Sequence, residues 1–347
     1  MASSALRDGV FIRRVLIVIA IGALALLLWR LIDLLLLVFG AVLVCILLRA
    51  LAEPIARRTP LSDGWALAAT TLGLLALISG VVWLFGAEVR AQVAELAERL
   101  PQAWDSFEER LGFTDFGMRV AERAEEMAPA AGTVLSRLAG VVTSFVRGVA
   151  DLVLIVIGGL YLATQPALYR HGVLLLVPAG GSRERFADAL DATGAALRRW
   201  LLGQLVAMLL VFVLTGLGLW AIGLPAALAL ALLAGLAEFV PLVGPIVAAI
   251  PALLIALADG WETALWTLAL YLAVQQLESN VITPLVQRQA VKLPPAVTVF
   301  AVVAFGLLFG WVGVLFATPL AVVVFVVVKK LWVRETLGEP TEVPGES

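Results

Sequence analysis

Glu238-Phe-Val-Pro241-Leu-Val-Gly244-Pro245-Ile-Val-Ala-Ala-Ile-Pro251 decides how this chain folds. It lies midway in an apolar run from Leu224 to Leu257, 34 residues with one charge, Glu238. A membrane-spanning helix needs about 20 residues, and two spans with a turn need roughly 40. The run is too long for one crossing and short for two. Its centre holds Pro241, Gly244 and Pro245, and proline both lacks the amide donor and clashes with the preceding helical turn. The pattern predicts a helical hairpin that enters a membrane, breaks near Pro241–Pro245 and leaves by the same side. Broken backbone at membrane depth is tolerated only where protein buries it or water lines it.

Working outward, the composition fits that reading. The chain has 347 residues, 62% hydrophobic and 14% charged, with a mean hydropathy of +1.04. Soluble domains are nearer half apolar and a quarter charged. The expected class is an all-α polytopic membrane protein, because barrel strands would show short alternating segments. It should have about six full transmembrane helices, two re-entrant hairpins in a probable inverted repeat, and an amphipathic helical insert. Net charge is −2, so nucleic acid is not an expected partner. The lone Cys45 reads as a packing residue and His171 as an interfacial one.

The spans fall in order. Val15–Trp29 is the first, read as an uncleaved anchor, with a tight turn marked by Arg30 and Asp33. Leu34–Leu48 and Trp65–Phe85 follow, closing an N-terminal unit at residues 1–86. Residues 87–148 form the insert. Val89, Val93, Leu96, Leu100, Trp104, Phe107 and Leu111 recur at helical spacing there. Residues 149–334 form the C-terminal domain. It holds a span at Val149–Thr164, where Gly158-Gly159 permits close helix approach, an amphipathic helix at Ser182–Trp200 and a span at Leu201–Trp220. After the hairpin comes a span from Trp261 to about Ile282. A second uncharged run, Ala296–Val328, has Gly306, Gly310, Gly313 and Pro319 inside. Residues 335–347 read as a disordered acidic tail.

Placing the N-terminus in the cytoplasm puts 16 of the 24 basic residues inside, so both termini are expected there. One hairpin then dips from each side, and inverted repeats around a midplane site are a recurring plan of secondary transporters.

Two polar clusters interrupt the apolar C-terminal half. One is Glu238 with Pro241, Gly244, Pro245 and Pro251. The other is Gln275, Gln276, Glu278, Ser279, Asn280 and Pro284. Gln276 and Asn280 share one helix face, and Gln275 and Glu278 a neighbouring one. An intramembrane carboxylate costs a few kcal/mol on insertion scales, about 3 at the centre, so it is paired, protonated or facing water. The competing reading for Glu238 is an acid capping a broken helix end. No catalytic set, zinc motif, cysteine pair or nucleotide loop occurs, so neither an enzyme nor a cofactor is expected.

At these residues the sequence resembles the autoinducer-2 exporter family of bacterial membrane proteins. The resemblance rests on E-x-x-P-x-x-G-P-x-x-x-x-x-P from Glu238 to Pro251, on Q-Q-x-E-x-N-x-x-x-P from Gln275 to Pro284, and on Ala317-Thr-Pro319-Leu. It extends over almost the whole chain. It implies a homo-oligomeric transporter, with a pentamer among the assemblies considered, in the bacterial cytoplasmic (inner) membrane. It also implies elevator-like or rocking movement of the hairpin domain. Family members export autoinducer-2 or exchange sodium or lithium for protons. The expected partners are therefore a small solute or a monovalent cation with a proton, and the lipid bilayer. Three functions stay open: a proton-coupled exporter of a small organic solute, a Na⁺(Li⁺)/H⁺ antiporter, and a non-transporting scaffold whose insert binds a partner.

Overall fold

The computed structural model describes residues 30–77, 150–241, 243–282 and 293–346, with a few isolated positions between 19 and 83. The first expected span, the 87–148 insert and Pro284 lie outside the described residues. No strand occurs among the described residues. The helices are α1 (Ile32–Arg58), α2 (Asp63–Leu77), α3 (Ala150–Thr164), α4 (Pro166–Leu175) and α5 (Gly181–Ile222). They continue with α6 (Ala227–Ala237), α7 (Val243–Asp259), α8 (Trp261–Leu277) and α9 (Pro295–Val327). Wide π turns extend α8 over Glu278–Ile282 and α9 over Val328–Arg334.

The distribution of side chains is inverted relative to a soluble protein. Leu307 and Trp220 are 84% and 77% exposed, while Glu238 is 1% exposed. The interior is lined by small residues instead: Ala231, Ala248, Ala252, Ala256 and Ala317 are completely covered. An apolar exterior over a small-residue interior is what lipid, as solvent, selects. Three helices are long and apolar enough to cross a membrane: Ile32–Arg58, Gly181–Ile222 and Pro295–Arg334. A bent pair, α3 and α4, adds a fourth if it counts as one span; its two helices meet at 90° around Gln165.

Glycines set the closest approaches. A Cβ on Gly159 would lie 2.6 Å from the Val44 side chain, and one on Gly158 would lie 3.2 Å from Ala41. α3 thus rests on α1 as the Gly158-Gly159 pair predicts. Arg49 Nε then reaches the Ala163 carbonyl at 2.8 Å and satisfies the end of α3. Gly235 makes the corresponding contact between α6 and α5, where a Cβ would lie 2.7 Å from Phe212.

The amphipathic helix and fifth span expected as separate elements are one helix, α5, of 42 residues. At 1.5 Å per residue it is about 63 Å long, roughly twice the hydrocarbon thickness. Nothing between Trp200 and Leu201 breaks a helix, so the change of solvent along it leaves no mark on the backbone. Its polar half carries two links between elements: Arg198 to Glu53 of α1 at 2.8 Å, and Arg170 of α4 to Asp191 in a two-point fork. α5 ends at Gly223 (φ 81°), which takes the left-handed position that closes a helix.

Both expected breaks are present. α6 and α7 are separated by Glu238–Leu242 and run antiparallel. Gly244 faces Ala237, Ala234 shares a cluster with Ala248, and Leu230 shares one with Ala252 and Ala256. In α9, Gly310 has φ 65° and ψ −148°. A Cβ on Gly313 would strike the Phe305 carbonyl oxygen at 1.9 Å, and one on Gly306 would lie 2.9 Å from Val314. Residues eight apart are about 12 Å apart in a straight helix, so the chain doubles back at Gly310.

The tail corrects an expectation. Residues 335–346 are not loose; they fold back over α5 and α9. Val343 is buried with Ala192, Ala196 and Val322. Glu346 pairs with Lys330 and Arg334, and Lys329 Nζ donates to the Glu342 carbonyl at 3.1 Å. The acidic, proline-rich composition suggested disorder, yet one apolar residue and a basic helix end hold the segment. Burial alone raises the Glu346 carboxyl, but the hydrogen bonds and charges of Lys330 and Arg334 outweigh it and hold it below the usual carboxylate range.

Two outcomes follow. Gly159→Val forces overpacking against Val44 and should cost about 1–3 kcal/mol, read as a lower midpoint of thermal unfolding in detergent. Glu346→Gln should cost about 1 kcal/mol or less at neutral pH. A carboxyl lowered in the folded state stabilises above its ordinary value and loses that contribution as pH falls through the folded value. The wild-type and Glu346→Gln melting curves should therefore converge in acid, below the ordinary carboxylate range.

Candidate functional site

The site forms where the α6–α7 break meets α5 and α8. Its cavity, about 10 Å³ and so room for about one water, is lined by Val211 and Thr215 of α5, Ala234 of α6, Glu238 and Pro245 of the break and α7, and Tyr271, Val274, Gln275 and Glu278 of α8 and its π turn. Among the described residues no lysine, arginine or histidine lines it.

Glu238 follows the last residue of α6, and its amide still donates to the Ala234 carbonyl at 3.0 Å. Its own carbonyl, released from the helix ladder, accepts from Gln204 Nε2 of α5 at 2.6 Å. This buried bond fixes the hairpin tip on α5. Glu238 therefore stands at the C-terminal end of α6, where the helix dipole is negative and disfavours a carboxylate. Its Oε2 has no hydrogen-bond partner among the described residues. The helix-capping reading of Glu238 finds no support in either fact.

The Glu238 and Glu278 carboxyl groups lie within hydrogen-bonding reach of one another. Gln275 Nε2 donates to Glu278 Oε2 at 2.7 Å. Two unit charges about 4 Å apart repel by about 4 kcal/mol at an effective dielectric constant of about 20. The Gln275 bond to a charged carboxylate offsets about 1.5–3 kcal/mol of that, before the cost of burying the charges. The pair therefore calls for a counter-charge between its oxygens, either a shared proton or a bound cation.

The structure divides the second polar cluster. Gln275 and Glu278 turn into the cavity, while Gln276, Ser279 and Asn280 are exposed. Asn280 Nδ2 donates to the Gln276 side chain and carbonyl at 2.9 Å, and Ser279 Oγ to the Gln275 carbonyl at 2.6 Å. Gln276 and Asn280 are thus kept off the carboxyl pair. Pro241 and Gly244 form the break, Gly244 by allowing the backbone to meet Ala237. Pro251 lies inside α7 and does not line the cavity. Pro319 is buried in α9 and does not line it either.

Sequence reasoning missed Gln204, Thr215 and Tyr271. The signal was available for two of them. Gln204 and Thr215 are the hydrogen-bonding side chains of the otherwise apolar stretch Leu201–Leu219. Tyr271 carries no such mark, being an aromatic residue in an aromatic-rich helix.

A sequence profile described as "AI-2E family transporter" matches residues 15–332. YrrI of Bacillus subtilis (strain 168), named as a candidate transport protein, is 31% identical over 159 residues, 46% of this chain and 45% of YrrI. A Mycobacterium tuberculosis protein named in the same way is 41% identical over 137 residues, 38% of this chain and 37% of that one. YueF of B. subtilis, again named for transport, is 25% identical over 274 residues, 73% of this chain and 72% of YueF. The matched part spans less than half the length of the first two relatives.

Replacing Gln204 by Leu should leave the Glu238 carbonyl buried and unpaired. The expected cost is about 1–3 kcal/mol, visible as a lower unfolding midpoint. Gln204→Glu in its protonated form restores a donor, so the loss should shrink as pH falls; a loss of the same size at every pH would assign Gln204 a packing role only.

Proposed function

Because the chain belongs to the AI-2E family of transporters, we propose that it is a proton-coupled secondary transporter of a small, autoinducer-2-like organic solute, with Glu238 and Glu278 as its coupling centre. The observation that carries this is the carboxyl pair itself, at a helix break in a cavity that no cationic side chain among the described residues lines. Proton occupancy switches the pair between one negative charge and none, which changes what the cavity can hold and whether the hairpin tip tolerates an apolar surrounding. The cavity, about 10 Å³, has room for about one water, so in this reading the hairpin must open further to admit a small solute. In this reading the α6–α7 hairpin re-enters the bilayer, and elevator-like movement of the hairpin domain exposes the pair to each side in turn. The exporter works as a homo-oligomer in the cytoplasmic membrane.

A second reading, Na⁺(Li⁺)/H⁺ antiport, is favoured by the free Glu238 Oε2. A carboxylate oxygen facing a cavity is a ligand for a hard monovalent cation as well as for a proton.

The test reconstitutes the full chain in vesicles carrying a pH-sensitive dye and imposes gradients of candidate solutes, Na⁺ or Li⁺. Solute-driven proton movement supports the exporter, and cation-driven movement without solute supports the antiporter. Glu238→Gln and Glu278→Gln should each slow that movement by about a hundredfold, a typical effect of losing a placed proton-transfer group. Unchanged rates and pH dependence in both variants would end the proposal.

A further inference from the structure

Thr70, Thr71 and Thr193 are buried in helices, and each donates its hydroxyl to the carbonyl four residues back, at 2.7–2.8 Å. Thr215 and Thr267 are buried more deeply, at 1% and 0% exposure, yet neither hydroxyl has a partner among the described residues. With Glu238 Oε2 they make up the unpartnered buried side-chain oxygens of the described structure. All three belong to the elements around one cavity.

The position of Thr267 gives this pattern a direction. On α8, Thr263, Thr267, Tyr271 and Gln275 follow one another at every fourth residue, with Asp259 at the end of α7 before them and Glu278 after them. Residues four apart are neighbours along a helix ridge. The row begins at the surface, where Thr263 Oγ1 donates to Asp259 Oδ2 at 3.1 Å, and passes through the fully covered Thr267. It then reaches Tyr271, Gln275 and Glu278 in the cavity wall, with Thr215 opposite on α5. On its other ridges α8 carries Leu265, Trp266, Leu268 and Leu272, all exposed and apolar.

We infer that Asp259, Thr263, Thr267, Tyr271 and Thr215 form a proton-access line from the Trp261 end of α8 to the Glu238–Glu278 pair. This rests on the reading that the pair carries a proton. Asp259 and Thr263 are bonded directly, and from Thr263 to Tyr271 successive members are four residues, about 6 Å, apart along the α8 axis, two hydrogen-bond lengths, so each of those gaps needs one bridging water. A hydroxyl with both lone pairs and its hydrogen uncommitted can accept a proton on oxygen from one neighbour while releasing its own to the next. The chain of bonds is then reversed, and nothing is oxidised or consumed. A threonine bonded to its own helix lacks that freedom, which is why the contrast with Thr193 matters; Thr215 and Thr267 have it, whereas Tyr271 must first release its 3.4 Å bond to the Ala248 carbonyl and Thr263 its bond to Asp259. The titratable groups along the line are Asp259, Tyr271, Glu238 and Glu278, and among the described residues no cationic side chain lines the cavity.

The test uses the purified full chain in lipid nanodiscs and follows, by time-resolved infrared spectroscopy, the carbonyl stretch of protonated carboxylic acids after transfer to D₂O. The wild type should show a band that Glu238→Gln and Glu278→Gln remove. Its deuterium shift should slow by about tenfold in Thr267→Val and Thr215→Val, equivalent to about 1.4 kcal/mol on the barrier. Thr267→Ser and Thr215→Ser should restore the rate, and Thr193→Val should leave it unchanged. Backbone amide exchange measured in the same samples reports any general loosening of the fold. If the two glutamine variants leave the band intact, the pair does not hold the proton, and both the coupling centre and its access line fall. If the band belongs to the pair but exchanges equally fast with valine at 267 and 215, the line alone is overturned.

Discussion

A carbonyl released from a helix inside an apolar segment must find a donor, because the surrounding lipid offers none. At Glu238 that donor is Gln204, and much of the described structure is arranged around the bond they make. It lets α6 stop in the middle of an apolar run. It places the stop against α5 and not at a surface. It also turns the Glu238 side chain toward α8, where Glu278 waits. Without an amide at position 204, the break between Ala237 and Val243 would leave a buried acceptor unpaired, at a cost of about 1–3 kcal/mol.

Packing around that bond is accomplished with very little side-chain volume. Gly235 lets α6 settle on Phe212, Gly244 lets the two hairpin legs meet, and Ala248, Ala252 and Ala256 keep α7 close to its neighbours. Burial gains leucine less here than in a soluble core, since lipid outside is as apolar as the interior, although Leu48, Leu219 and Leu230 still fill it. Shape is what remains, and small residues supply it. The same economy leaves room for polar oxygens. Thr215, Thr267, Tyr271 and Gln275 occupy sites that a soluble core would fill with branched aliphatics.

Much of this was legible in the residues. Two prolines and a glycine inside an apolar run announce the first hairpin, and Gly306, Gly310 and Gly313 the second, because backbone chemistry is local. The pairing of Glu238 with Glu278 was not legible as a contact. Forty residues separate them, and only the antiparallel packing of α7 and α8 brings them together. The continuity of α5 was hidden because the usual breakers mark where helices end, whereas here only the solvent changes. The division of Gln275 and Glu278 from Gln276 and Asn280 was half visible, as a difference of helix face. Which face met the cavity depended on α5. The tail misled for the opposite reason: its composition is that of a loose segment, but Val343 and Glu346 find partners that lie far away in sequence.

The long helix constrains any movement of the site. α5 holds the hairpin tip through Gln204, lines the cavity through Thr215, and through Arg198, Asp191 and Ala192 holds α1, α4 and the C-terminal segment. If the α6–α7 hairpin slid along α5 alone, the Gln204–Glu238 bond would break in an apolar setting at a cost of about 1–3 kcal/mol, and the glycine contact at Phe212 would be lost with it. Movement of α5, the hairpin and α8 together keeps both. The links most easily exchanged are those of the polar half, where the Arg198–Glu53 and Arg170–Asp191 pairs are solvated and each is worth about 1 kcal/mol or less. Any such movement would still have to part or carry the buried cluster that joins Leu197, Trp200 and Leu201 of α5 to Leu36 and Leu43 of α1 and to Val322 and Val326 of α9, so the ion pairs alone do not set its boundary.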